Sequence, residues 1–352
     1  MHFSVLTHLQ TLQKSDMKTS PADQHDFAEV HDWFETAMMQ QIEDMMKPYD
    51  ENTSNPTHLE FVDMSESVLK DYHEKGQDVV RLPNGSIHLI FERWFHDNYI
   101  VENGLVLQRK WGQLHHPKRT KKAKQMQVIE NYPFDRLYPS LDRFAEDWYG
   151  YHYHEAAQAY GYYSNPNGHY DWYQVGGRWP DRLLIAADDP FYVPGEKTWA
   201  ATDEEKKAPD GYRWVTGARK SAIQWELMKS LAADKATKLF HQLEQWFTTG
   251  TKPTELDDGF RLMENNIAYW GDLVRRKDTT LEQFLLERGL APEQRFLLGA
   301  FYIINDGIWA CQDDYSDESN RGSDILPWSQ YMEQYLDGLS DDAFIVTLDI
   351  HD

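Results

Sequence analysis

The apolar positions along this chain change period several times, and each change marks an element. Phe3 and Val5 alternate with polar neighbours at one end, and Phe344, Val346, Leu348 and Ile350 alternate at the other. Period two is the signature of a strand, so strands are expected at 3–7 and 344–350. Both flank helices that need a common core, which places them in one sheet. Phe27, Val30, Phe34, Met38, Ile42 and Met45 recur at three- and four-residue spacing, a helix opened by Ser20-Pro21 and closed by Lys47-Pro48. Further helices are expected at 65–76, at 218–247, after the Thr280-Leu281-Glu282-Gln283 capping box, and after Pro327. Strands are expected at 87–91 and 100–107, and Asn305-Asp306-Gly307 reads as a hairpin turn between 297–304 and 308–311. Strands and helices do not alternate in βαβ rhythm. The expectation is therefore an α+β fold, a mainly antiparallel sheet containing both chain termini with long amphipathic helices packed on it. One domain, 1–352, is expected, with a basic loop at 109–135 and a loop-rich insertion at 188–217.

The densest segment lies between Trp148 and Trp179, where eleven residues are Trp or Tyr and His152, His154 and His169 join them. Asn165-Pro166-Asn167-Gly168 is turn chemistry. Gly176-Gly177 removes two β-carbons, so a ligand or another backbone can come close. Arg178 offers a planar fork for carboxylate or phosphate, and Trp172, Tyr173 and Trp179 offer flat faces for a base or sugar. A ligand-binding set of Asn165, Asn167, Trp172, Tyr173, Gly176, Gly177, Arg178 and Trp179 follows. The competing reading is an aromatic core loop knitted by an Arg–Asp pair.

The segment from Asn165-Pro166-Asn167 through Asp171-Trp172-Tyr173 to Gly176-Gly177-Arg178-Trp179 resembles a family of tailed-phage and prophage proteins carrying an N-P-N-x-x-W-D-W-Y-x-I-G-G-R-W run. His2-Phe3-Ser4-Val5-Leu6, Pro48-Tyr49-Asp50-Glu51-Asn52, Asp306-Gly307-Ile308-Trp309 and the ending Leu339-Ser340-Asp341-Asp342 to Asp349-Ile350-His351 extend the likeness in the same order. Tyr170 stands where the family has Trp, and the ending departs from its D-C-H-I. The resemblance implies a phage-type origin and carries no reaction with it.

Composition narrows the classes. The 352 residues hold 35 Lys and Arg against 58 Asp and Glu, a net charge of −23. Direct DNA binding over the whole surface is disfavoured, because phosphate binding needs basic surface. No run approaches the roughly 20 apolar residues of a membrane helix. The single cysteine, Cys311, excludes a disulfide scaffold and a cysteine zinc site. It also fits a reducing compartment, and the first residues lack a signal-peptide pattern, so a cytoplasmic location is expected, in the host cell for a phage-encoded chain. Arg109, Lys110, Lys118, Arg119, Lys121, Lys122 and Lys124 form one basic island, read as an exposed loop or as a grip for phosphate, RNA or an acidic partner.

For chemistry, His169 and Asp171 are the candidate acid–base pair. His152, His154 and Glu155 are the candidate metal ligands, although the spacing matches no established motif and a bound divalent metal is not favoured. The acidic run Asp313 to Glu318 lacks calcium-loop spacing. Two function classes remain. One is a pocket for a nucleotide-like or sugar-like anionic molecule, with any reaction unassigned. The other is an acidic interaction protein that blocks a host DNA-binding or defence factor.

Overall fold

The computed structural model describes residues 1–9, 27–110, 113–197, 207–316 and 327–352. Ser20-Pro21 and Asp317-Glu318 lie outside them. The chain divides into two compact units, one formed by Met1–Asn52 with Asn167–Asp352 and the other by Thr53–Pro166.

The first unit is built on an eight-stranded sheet. Its strands are β1 (His2–Leu9), β2 (Trp172–Gly177), β3 (Tyr192–Val193), β4 (Glu196–Lys197), β5 (Gly217–Arg219), β6 (Tyr302–Asn305), β7 (Ile308–Cys311) and β8 (Phe344–His351). The path runs β3-β5-β8-β1-β6-β7, with β2 also on β8 and β4 on β2. The strands from the two ends of the chain pair antiparallel along their whole length, from His2 opposite His351 to Leu9 opposite Phe344. The other edge of β8 is shared, β5 taking Phe344 to Val346 and β2 taking Leu348 to His351. Only the β1–β6 and β2–β4 pairings are parallel in this sheet. Asp306 and Gly307 form the β6–β7 turn with positive φ, the geometry that an Asp-Gly hairpin adopts.

Helices cover both faces. On one, Phe34, Met38, Ile42 and Met46 of α1 (Phe27–Met46) pack against Val5, Leu9, Phe344, Val346, Leu348 and Ile350. On the other, Met228 of α2 (Trp225–Thr249) and Met332, Tyr335 and Leu336 of α3 (Trp328–Gly338) pack against Leu6, Ile303 and Ile345. The alternation in β8 predicts one wet face, yet seven of its eight residues, Phe344 to Ile350, are buried. Each large apolar side chain so buried contributes about 1.5–3 kcal/mol. Thr347 and Asp349 read as solvent-facing in sequence, and both are enclosed.

The helix expected from 218 begins at Trp225, because Gly217–Arg219 is taken as a strand by β8. Past its middle, α2 carries a second core of Phe240, Leu243 and Trp246 with Ile267 and Phe284. These come from a meander of Phe260–Leu262, Asn266–Tyr269 and Asp272–Arg276 and from the helix Leu281–Leu286, whose capping box at Thr280 and Gln283 is formed. Within the 188–217 stretch, Tyr212–Val215 pairs with Leu183–Ala186, and β3 and β4 join the main sheet.

The second unit contains three small antiparallel sheets and the helix Ser65–Glu74. The strand expected at 100–107 is a hairpin, Tyr99–Glu102 and Leu105–Lys110, turned by Asn103 and Gly104 with positive φ. The basic segment expected as a loop includes the strand Gln113–Lys118 and a short helix, Lys121–Lys124, capped by the Thr120 side chain.

Candidate functional site

The site forms where β1 begins, β8 ends and β2 runs alongside. Residues directly opposite in an antiparallel pair share a face, as do residues two apart along a strand. The registers His2–His351, Ser4–Asp349, Trp172–His351 and Gln174–Asp349 therefore gather these side chains on one face. It is the face that carries Leu6 and Ile345 further along. The apolar layer gives way there to a polar end.

Asp349 is the centre of that end and is 0% exposed. Its Oδ1 lies 3.0 Å from His2 Nδ1, and its Oδ2 accepts the backbone N–H of Arg178 at 2.9 Å. A buried carboxylate is tolerated only when it is held this way. The double glycine makes room for it. Gly176 and Gly177 have φ of 82° and 53°, and a β-carbon on Gly177 would overlap Asp349 Cβ and Oδ2 and stand 2.8 Å from its Cγ. Trp179 N–H then donates to Gly176 O at 2.8 Å, closing a tight turn that presents the Trp179 ring. The close approach expected at Gly176-Gly177 is thus made by an internal carboxylate.

With Nδ1–H donated to Asp349, His2 Nε2 is an acceptor without a partner among the described residues. The imidazole is fixed edge-on against Trp172 at 5.8 Å and His351 at 5.0 Å. His351 Nδ1 in turn lies 2.8 Å from Asp171 Oδ1. A carboxylate-oriented imidazole of this kind can accept a hydrogen bond or a proton.

Beside His2 lies a cavity of about 430 Å³, walled by Trp179, Phe301 and Trp328 and lined also by Ser4, Gly299 and Gln312. The walls are braced by their backbone. Phe301 N–H donates to Ser4 O at 2.9 Å, and Trp328 Nε1 donates to Ala300 O at 2.9 Å. Arg182 does not line the cavity, but its Nη2 stands 4.0 Å from where a β-carbon on the lining residue Gly299 would sit. Burial lowers the Arg182 pKa, and its guanidinium makes no hydrogen bond or ion pair among the described residues. Arginine keeps its charge in proteins, so this is a positive charge without an internal counterion.

The remaining expected residues are dispersed. His169 and Asp171 are not joined to each other. His169 stacks on Trp309 at 4.5 Å, burial lowers its pKa, and Asp171 goes to His351. Tyr49 donates to Gly307 O at 2.5 Å and Tyr170 to Met46 O at 3.0 Å, so the aromatic loop is partly knitted into core. Tyr173 packs toward α1, and Trp172 stays 43% exposed. Arg178 contributes its backbone N–H, while its side chain is exposed and forms no ion pair among the described residues. Asn167 belongs to the first unit and Asn165 is buried in the second. Of the expected ligand set, Trp179 lines the cavity.

His152, His154 and Glu155 lie in the second unit. The strand His152–His154 puts its two histidines on one face, but His154 is wedged between Phe61 and Tyr163 and the Glu155 carboxylate is 3.4 Å from Gln158. Among the described residues, no three His, Cys, Asp or Glu side chains are arranged to hold a metal, so these three do not gather into the expected site. His2, Asp349, His351 and Arg182 were not singled out from sequence. The available signal was Asp349, the one acid within a mainly apolar strand.

No family model, curated protein or solved structure matches this chain. Its function is argued from its own geometry. Among the described residues no helix is long and apolar enough to cross a membrane.

Proposed function

We propose that the sheet-end cavity binds a small anionic molecule of nucleotide-like or sugar-like chemistry, as the working part of a phage-type accessory protein. The observation that carries this is the Arg182 guanidinium, uncompensated by any acid among the described residues, against a cavity walled by Trp179 and Trp328. The rings suit a base or the apolar face of a sugar. His2 Nε2, oriented by Asp349, suits a sugar or ribose hydroxyl as donor. Arg182 suits a phosphate or carboxylate. Calorimetric titration with nucleoside monophosphates and sugar phosphates tests it. At least one should bind saturably, and Arg182→Gln and Trp179→Ala should each weaken that ligand while remaining folded. Absence of binding across the panel, or unchanged affinity in both variants, would refute it.

A second reading rests on the net charge of −23. An acidic surface can occupy the basic face of a host DNA-binding or defence factor. Salt-sensitive competition with DNA for such a factor would favour this reading over the first.

A further inference from the structure

In a strongly acidic chain, three arginines share one cavity away from the sheet end. Arg275, Arg276 and Arg288 line a space of about 430 Å³ together with Thr279 and Glu287. It lies against the meander and the helix Leu281–Leu286.

Two of these arginines are held mainly by neutral groups. Arg275 is 4% exposed and sits 3.6 Å over the Phe240 ring. Its Nη1 donates to Phe240 O and its Nη2 to Thr279 O, each at 3.2 Å, while Nε is buried with no partner. Arg288 sits 3.4 Å over Phe284 and donates to Phe284 O at 3.1 Å and Val274 O at 2.9 Å. Val274 is the extra residue of a bulge between the two C-terminal strands of the meander, with Arg275 opposite Ile267 and Leu273 opposite Ala268. Carbonyls and ring faces satisfy the donors but do not cancel the charge. Arg275 Nη2 also makes a long ion pair, 3.8 Å, with the exposed Glu244 carboxylate. Glu287 makes no ion pair with any of the three among the described residues. Burial lowers the pKa of Arg275 and Arg288, the mark of cations held away from water. Arg276, the third, is exposed, and its guanidinium has no hydrogen bond or ion pair among the described residues.

Two fixed guanidinium charges, only partly offset by the exposed Glu244 and Glu287 carboxylates, behind one free fork describe an anion site. We propose that this pocket binds the phosphate group of a small molecule, gripped by Arg276 in the field of Arg275 and Arg288. The buried pair is already ordered, so the only long side chain to be immobilised on binding is Arg276.

Titration of the full chain with orthophosphate, pyrophosphate and ribose 5-phosphate at constant ionic strength, against chloride, tests this. Saturable binding is expected. Preference for ribose 5-phosphate over orthophosphate would identify a phosphate ester as the source, and the reverse order the free ion. Arg276→Gln removes an exposed charge, so it should melt like the parent and bind roughly tenfold or more weakly, the loss of one charge-assisted contact. Arg182→Gln should leave this binding unchanged. Absence of saturable binding overturns the proposal. So does binding that survives Arg276→Gln, or that is lost only in Arg182→Gln and therefore belongs to the sheet-end cavity.

Discussion

The contact between Gly177 and Asp349 can be tested by adding one methyl group. Gly177→Ala imposes two costs. A residue with a β-carbon at φ of 53° is strained by about 1–2 kcal/mol. The new carbon also overlaps Asp349 Cβ and Oδ2, so the carboxylate must shift and release the Arg178 N–H or His2. Losing one hydrogen bond to a charged group costs about 1.5–3 kcal/mol. The sum is roughly 2.5–5 kcal/mol, a large part of the stability of an ordinary domain. Gly211→Ala is the matched control, since Gly211 also has positive φ, 83°, but nothing lies within 4 Å of its added carbon. It should lose only the strain. Urea unfolding followed by tryptophan fluorescence gives both values if the slopes agree. Gly177→Ala should be the less stable by about 1.5–3 kcal/mol, the cost of the displaced carboxylate. Equal losses would mean that Asp349 yields freely, and the account of why two glycines precede Arg178 would be wrong.

Two further outcomes follow from the same geometry. Burial lowers the His169 pKa, with Asp352 opposing it, so neutral His169 is favoured by folding, and the stack on Trp309 is the ring contact that can carry this. That contribution is complete above the unfolded histidine pKa of about 6.5 and is lost as pH falls through the lower folded value. Imidazole proton shifts should give a midpoint below the ordinary one and Trp309→Leu should raise it, whereas a midpoint at or above the ordinary value would refute the stack's role. At the helix Leu281–Leu286, Thr280→Ala removes the capping-box acceptor for the Gln283 N–H and should cost about 1 kcal/mol in urea unfolding, against no change if the cap is idle.

What could be read from sequence was set by range. The Thr280 capping box, the Asp306-Gly307 turn and the period of the end strands are local patterns, and the structure forms the cap, the turn and both strands, although the last strand is buried on both faces. The Asn103-Gly104 turn was equally local, but its apolar flanks, Ile100-Val101 and Leu105-Val106-Leu107, read as one strand across it. Asp349 could not be read as buried, because its partners are His2 and the backbone of Arg178, and only the β1–β8–β2 pairing brings them together. His169 and Asp171 looked paired because they are close in sequence, yet one stacks on Trp309 and the other bonds His351. The arginine pocket has no motif at all. Its charges are held by carbonyls, which every residue has.

The place of β8 in the sheet also sets a timetable. Its partners β1, β2 and β5 are all translated before it. A chain growing from its N-terminal end can complete the second unit from pairings internal to Thr53–Pro166. The first unit meanwhile holds β1 with both edges open until β6 and then β8 emerge. Pairings so distant along the chain are slow to form, because loop closure must precede any gain from contact. Open strand edges in that interval invite pairing with other chains. The last of these strands to be made thus pairs with β1 along its whole length and, through Asp349, orients the His2 imidazole at the edge of the cavity in the same step.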